Sequence, residues 1–331
     1  MRTDLELAQV SQLAFGYWHA QVLFAATELG IFDALADRRL TPARLAERCA
    51  VPAPRLRRLL DACVGLRLLT RDADGYANAP HTRRLLVTDS PDSLVRWVRV
   101  MHRWYGPWGE LPTAVRTGSA AEERAARLGD DPAYLEDFIL GMHEYNSRSA
   151  GSLPASLQRE DAAVLLDVGG GAGTHSMAFC RAWPGLTCEL IDLPGVTDIA
   201  RRVIAGEGLS DRITVREGDY YQDRFGQDAD VVLLSNVLHQ ESWDRSVDIL
   251  RRAAKALRPG GRVLVNGHVL DETRTSPVFT TLHNLSALVL WDGGESRTVE
   301  EMEQIMAEAG LSDIAVHPTG EPSARLLVGR A

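Results

Sequence analysis

The sequence predicts an α/β chain: a doubly wound, Rossmann-like sheet preceded by an N-terminal helical, winged-helix-like domain. Five short β-rich runs alternate with helix-like segments from about residue 162 onward. The first 87 residues instead read as helices followed by a hairpin signal. The chain has 331 residues, 45% of them hydrophobic, which is enough to bury two cores. The expected boundaries are 1–108 and 109–331.

Elements can be assigned in order. Residues 16–29 (GYWHAQVLFAATEL) are apolar nearly all round, so this helix is expected to be buried, in part at a subunit interface. Thr41 precedes Pro42 and PARLAERCA, a good helix start. Leucines at helical spacing follow in residues 52–69. Asp74-Gly75 within TRDADGYANAP marks a hairpin turn. Such an arrangement can bind DNA, and Arg55, Arg57 and Arg58 sit on its last helix. The plainer alternative is a dimerisation module with a solvated basic face. Residues 89–152 read as helical and carry Trp97, Trp104, Tyr105 and Trp108. Then come AAVLLDV, LTCELID, RITVREGD, ADVVLLS and GRVLVNG. Helix-like segments such as THSMAFCRAW separate them, so a parallel sheet is expected.

Composition narrows the function. The net charge of −9 argues against a nucleic-acid partner, because phosphate binding needs a basic field. No apolar run is long enough to span a bilayer, and MRTDLELAQV lacks the pattern of a signal peptide. A cytoplasmic protein without membrane contact is expected. The four cysteines form no CxxC pair, so they are expected to be reduced and packed.

The densest local signal is LLDVGGGAGTHS, residues 165–176. A buried strand ends at Asp167 and Val168 and runs into Gly169, Gly170, Gly171 and Gly173. Glycines here let the backbone turn tightly and approach a ligand. Asp192 closes the next strand about 20 residues on, where an acidic side chain grips ribose hydroxyls. A third strand ends in EGDYY, which places Asp219 and Tyr220 beside a purine ring. Leu193, Gly218 and Ser235 lie next to these positions and complete the candidate binding set. All fall at carboxyl ends of strands, where open α/β sheets bind ligands.

Together DVGGGAGTHS, IDLPGV, EGDYY, LLSNVLH, LRPGGRVLV and GGESRT fall in the order and spacing of the class I O-methyltransferase family. The chain resembles that family over nearly its whole length, including the N-terminal winged-helix dimerisation domain. The resemblance implies an S-adenosylmethionine-dependent enzyme that forms a homodimer and acts on a small molecule. It implies that Gly169 to Gly173 hold the methionine end of the cofactor, that Asp192 holds the ribose, and that Asp219 and Tyr220 flank the adenine. His239 matches the family's catalytic histidine, which removes a phenolic proton during transfer.

Three neighbours of that histidine depart from the pattern. The usual H-D-W is His239-Gln240-Glu241. Gly267 stands where a supporting glutamate is expected. Ser296 replaces a second glutamate, with Glu295 adjacent. If residues 239–241 are extended, His239 and Glu241 face the same way. With His283 in TTLHNLSALVLW, they would form a 2-His-1-carboxylate facial triad for a divalent or ferric ion. At these positions the chain resembles bacterial metal-dependent C-methyltransferases that act on the β-carbon of α-keto acids. That likeness implies a metal that stabilises an enolate. The proton-abstracting base is then open, with His268 or water as candidates. The alternatives are a metal-free O-methyltransferase with His239 as base, and a non-catalytic cofactor-binding relative. Glu241 as a solvated loop residue and His283 as a plain pocket histidine also stay open.

Overall fold

Why the chain forms two units is visible in a computed structural model, which describes residues 2–118, 131–157, 162–291 and 293–331. The expected linker segment is described except for residues 119–130. The two compact units are Met1–Arg103 and Trp104–Ala331, and their division falls within the helix Val95–Gly109.

In the first unit, the helices Arg2–Glu28, Ile31–Ala34, Pro42–Cys49 and Ala53–Gly65 precede strands β1 (Leu69–Asp72) and β2 (Gly75–Asn78). Thr41 caps its helix by accepting a hydrogen bond from the Arg44 amide, with Pro42 at the first helical position. The strands pair as an antiparallel hairpin in which Asp72 opposes Gly75. The turn residues are therefore Ala73 and Asp74, and Gly75 opens the second strand. Phe32, Leu45, Leu56, Leu60 and Tyr76 form the core. Among the described residues, the long first helix is buried only towards its end, at Phe24, Ala26 and Thr27. Leu7, Val10, Leu13, Tyr17 and Trp18 are exposed on this chain. Arg55, Arg57 and Arg58 are exposed as well, and Arg57 pairs with Asp61.

The second unit holds a seven-stranded sheet in the order β5-β4-β3-β6-β7-β9-β8. Its strands are β3 (Val164–Val168), β4 (Thr187–Asp192), β5 (Ile213–Glu217), β6 (Ala229–Ser235), β7 (Leu257–His268), β8 (Ser312–Pro318) and β9 (Ala324–Arg330). β5, β4, β3, β6 and β7 are parallel, as their apolar runs predict. β9 and β8 add an antiparallel margin that the sequence pattern did not reveal, so the sheet is mixed. Helices cover both faces. Val168, Val232 and Val263 pack with Ile249 and Ile305, while Leu165, Leu190 and Leu233 pack with Phe179 and Ile204. Cys180 and Cys188 lie in this second core as free thiols, their sulfurs 3.3 Å apart. Among the described residues, no helix is long and apolar enough to cross a membrane.

Candidate active site

The donor side is built at the carboxyl ends of β3, β4 and β5. A Cβ on Gly170 would fall 2.7 Å from the Leu190 side chain and 2.9 Å from Asp167, so only glycine fits there. Gly171 has φ +56, and its amide donates to Asp192 Oδ2 at 2.8 Å. The Leu193 amide donates to Asp192 Oδ1, also at 2.8 Å, and the Gly218 amide donates to the Asp192 carbonyl. Asp192 thus ties the glycine loop to the next two strands and remains partly exposed. This cradle fits S-adenosylmethionine: partly exposed backbone at Gly169–Gly171 for the amino-acid end and a carboxylate beside it for ribose.

Two candidates face elsewhere. Asp167 is 1% exposed and accepts from the Ser176 hydroxyl, so its carboxylate supports the loop from beneath. Burial pushes its pKa up to about 6. Ser235 accepts from Asn266 across the β6–β7 pair. Asp219 accepts from the Tyr221 amide and closes the turn after β5. Sequence reading missed His143, whose Nδ1 lies 2.8 Å from Thr174 Oγ1 at the start of the loop's helix. Nothing in its own segment signals that contact.

The acceptor side gathers three imidazoles. His239 stands on a 3-10 turn, Leu238–Gln240, after β6. His268 ends β7, and His283 comes from the helix Val278–Leu290. Ring centroids of His239 and His283 are 4.7 Å apart, and those of His268 and His283 are 5.2 Å apart. Trp291 meets His239 edge-on, and Phe279 packs on His268 and His283. Burial, then His283 and His268, holds His239 well below the usual imidazole pKa. Burial pushes His283 down to about 4. His268 is lowered by burial against a raising influence from Glu321, whose carboxylate lies 4.0 Å away; Ser323 Oγ lies 3.0 Å from His268 Nδ1. All three rings are therefore neutral near pH 7. His239 Nδ1 is buried and has no hydrogen-bond partner among the described residues. Gly267 supplies no carboxylate, and a Cβ there would meet nothing within 4 Å. Ser296 is buried near His283, while Glu295 pairs outside with Arg274.

Glu241 does not join this cluster. The expected same-side arrangement with His239 required an extended segment, but the 3-10 turn rotates successive side chains apart. Glu241 is 0% exposed, and its carboxylate accepts from the Tyr220 and Tyr221 hydroxyls. Among the described residues, no group of three His, Cys, Asp or Glu side chains is placed to hold a metal ion. The facial triad of His239, Glu241 and His283 is thus not assembled here.

A family model described as an O-methyltransferase domain matches residues 119–312, and one described as an O-methyltransferase dimerisation domain matches residues 11–88. The chain is 31% identical to the 3-hydroxy-5-methyl-1-naphthoate 3-O-methyltransferase of Streptomyces sahachiroi, over 96% of this chain and 93% of that protein. It is 32% identical to the acetylserotonin O-methyltransferase of Gallus gallus, over 96% of each. The crystal structure of human N-acetylserotonin methyltransferase in complex with S-adenosylmethionine superposes with a TM-score of 0.89 at 30% identity. That match covers 98% of this chain and 97% of the human one.

Proposed function

The chain belongs to the O-methyltransferase family, and on that premise we propose that it methylates a hydroxyl of a small natural-product acceptor with His239 as proton acceptor. It is an S-adenosylmethionine-dependent methyltransferase carrying a dimerisation domain. The observation that carries the proposal is the neutral, enclosed His239 ring beside the loop after β6.

S-adenosylmethionine, when bound, supplies an electrophilic methyl carbon. The chain's own residues do the rest. Gly169 to Gly171 and Asp192 hold the donor, and Phe279 and Trp291 give the acceptor an apolar wall. His239 takes the hydroxyl proton as the oxygen becomes nucleophilic. With no carboxylate partner for Nδ1, His239 is a weak base. It therefore suits an acidic phenolic hydroxyl better than an aliphatic alcohol. Much of the remaining rate comes from holding the two substrates in line. The enzyme works in the cytoplasm as a homodimer on this reading. A panel of phenols and hydroxylated aromatics with labelled donor tests it. Labelled product should appear with at least one phenol and vanish in His239→Ala. No product from any hydroxylated acceptor would refute it.

A second reading, C-methylation at the β-carbon of an α-keto acid with metal assistance, is favoured by the His239–His283 pair. Two neutral imidazoles this close are suitable metal ligands. The carboxylate of the expected triad is turned to the tyrosines, so no step is assigned to a metal. Metal analysis of the purified protein and an α-keto acid panel with and without chelator separate the two readings.

A further inference from the structure

We infer that Glu241 is a positioning residue for the donor side of the site, through a carboxylate clamp on Tyr220 and Tyr221. The inference rests on the donor lying against the glycine loop and not on which acceptor is methylated. Glu241 Oε1 accepts from Tyr220 at 2.8 Å and from Tyr221 at 2.7 Å, and Oε2 lies 2.9 Å from the Tyr221 hydroxyl. A wholly buried carboxylate is stable only when such donors satisfy it. Hydroxyl-to-carboxylate bonds are also short and strong. They fix both rings, which meet edge-on with centroids 4.7 Å apart.

The clamp spans two functional segments. Tyr220 follows β5 and its ring lies beside the glycine loop: a Cβ built on Gly169 would sit 3.9 Å from it. Glu241 follows the turn that bears His239. Its main-chain carbonyl accepts from the buried Arg297 guanidinium at 3.3 Å. Arg245 lies over the Tyr221 ring, 5.4 Å from its centroid. The carboxylate thus joins the floor of the donor cradle to the segment that carries His239. It presents the Tyr220 ring to the donor in one orientation.

Calorimetry with S-adenosylhomocysteine on the full-length protein tests the clamp without any acceptor. Glu241→Ala should weaken binding by about tenfold, as loss of charge-assisted bonds predicts. Tyr220→Phe should weaken it by about threefold. The double variant should bind no worse than Glu241→Ala alone, because both changes remove one linkage. The KM for the donor should rise in parallel while the acceptor KM moves less than twofold. Metal content should not change. Glu241→Gln and Tyr220→Phe keep side-chain volume and serve if Glu241→Ala does not fold. Affinity for S-adenosylhomocysteine within twofold of wild type in a folded Glu241 variant would overturn the inference. So would loss of a bound metal with donor affinity intact, which would return Glu241 to a ligand role.

Discussion

His239 and His283 meet edge to face with ring centroids 4.7 Å apart, and both are held neutral by burial. The two positions should nonetheless respond differently to substitution. As the base, His239→Ala should lose about 10²–10⁴ in kcat. If His283 only lines the acceptor site, His283→Ala should keep most of kcat and raise the acceptor KM. Equal, severe losses in both variants, restored by added metal, would instead mark the pair as ligands.

Asp192 holds two amides of the donor cradle, those of Gly171 and Leu193. Asp192→Ala leaves both donors unpaired and, if Asp192 holds the ribose as proposed, removes that contact too. Affinity for S-adenosylhomocysteine should fall at least tenfold, as removing one partner from part-buried polar groups predicts. Unchanged affinity by calorimetry would contradict the assignment.

Stability should fall below neutral pH. Burial pushes His175 and His283 down to about 4, whereas an unfolded imidazole titrates near 6.5. As pH drops through that window, the unfolded chain takes protons that the folded state refuses, so unfolding gains. Asp167 acts oppositely: with its pKa raised to about 6, the folded state takes a proton first and is stabilised as pH falls. His239, held well below the usual imidazole value, and His268 and His143, also lowered, act in the same direction as these two, so the imidazoles outweigh the one carboxyl and the net loss from pH 7 to pH 5 should be at least about 2 kcal/mol. Urea midpoints should drop accordingly, and less so in His175→Gln. A midpoint equal at both values would refute the balance.

The first helix leaves Leu13 78% exposed and Leu7 66% exposed on a single chain. Apolar surface of this kind is covered by association. Sedimentation at micromolar concentration should show a dimer, and Leu13→Glu should shift it towards monomer. A wild-type monomer at that concentration would exclude the homodimer.

What the sequence made legible follows from local chemistry. β3, β4, β6 and β7 are apolar runs because helices cover both faces, so their spacing alone predicted them. The glycine turn was readable because positive φ at Gly169 and Gly171 and the close approach at Gly170 demand that residue type. β8 was not, since the edge strand Ser312–Pro318 is largely exposed and has no apolar run. Glu241 was misplaced because sequence spacing cannot distinguish a 3-10 turn from an extended segment. Glu321 and Ser323 escaped notice because ordinary residues on a remote loop acquire their role only by meeting His268 in space.

Gly267 offers the sharpest separation of the two chemistries. It is the penultimate residue of β7, next to His268, and pairs with Arg325 of β9. Its missing side chain leaves open space, since a Cβ there would meet nothing within 4 Å. Gly267→Glu should therefore fold. An added carboxylate near the imidazoles favours their charged forms, so their pKa values should rise. If His239 is the base, the acid limb of the pH profile of kcat should move to higher pH. The variant should also act on less acidic hydroxyls, because a more basic imidazole can remove their proton. Under metal-assisted C-methylation the same carboxylate would act on the ion, and metal affinity would change instead. A folded variant with an unmoved pH profile would show that His239 does not carry the proton.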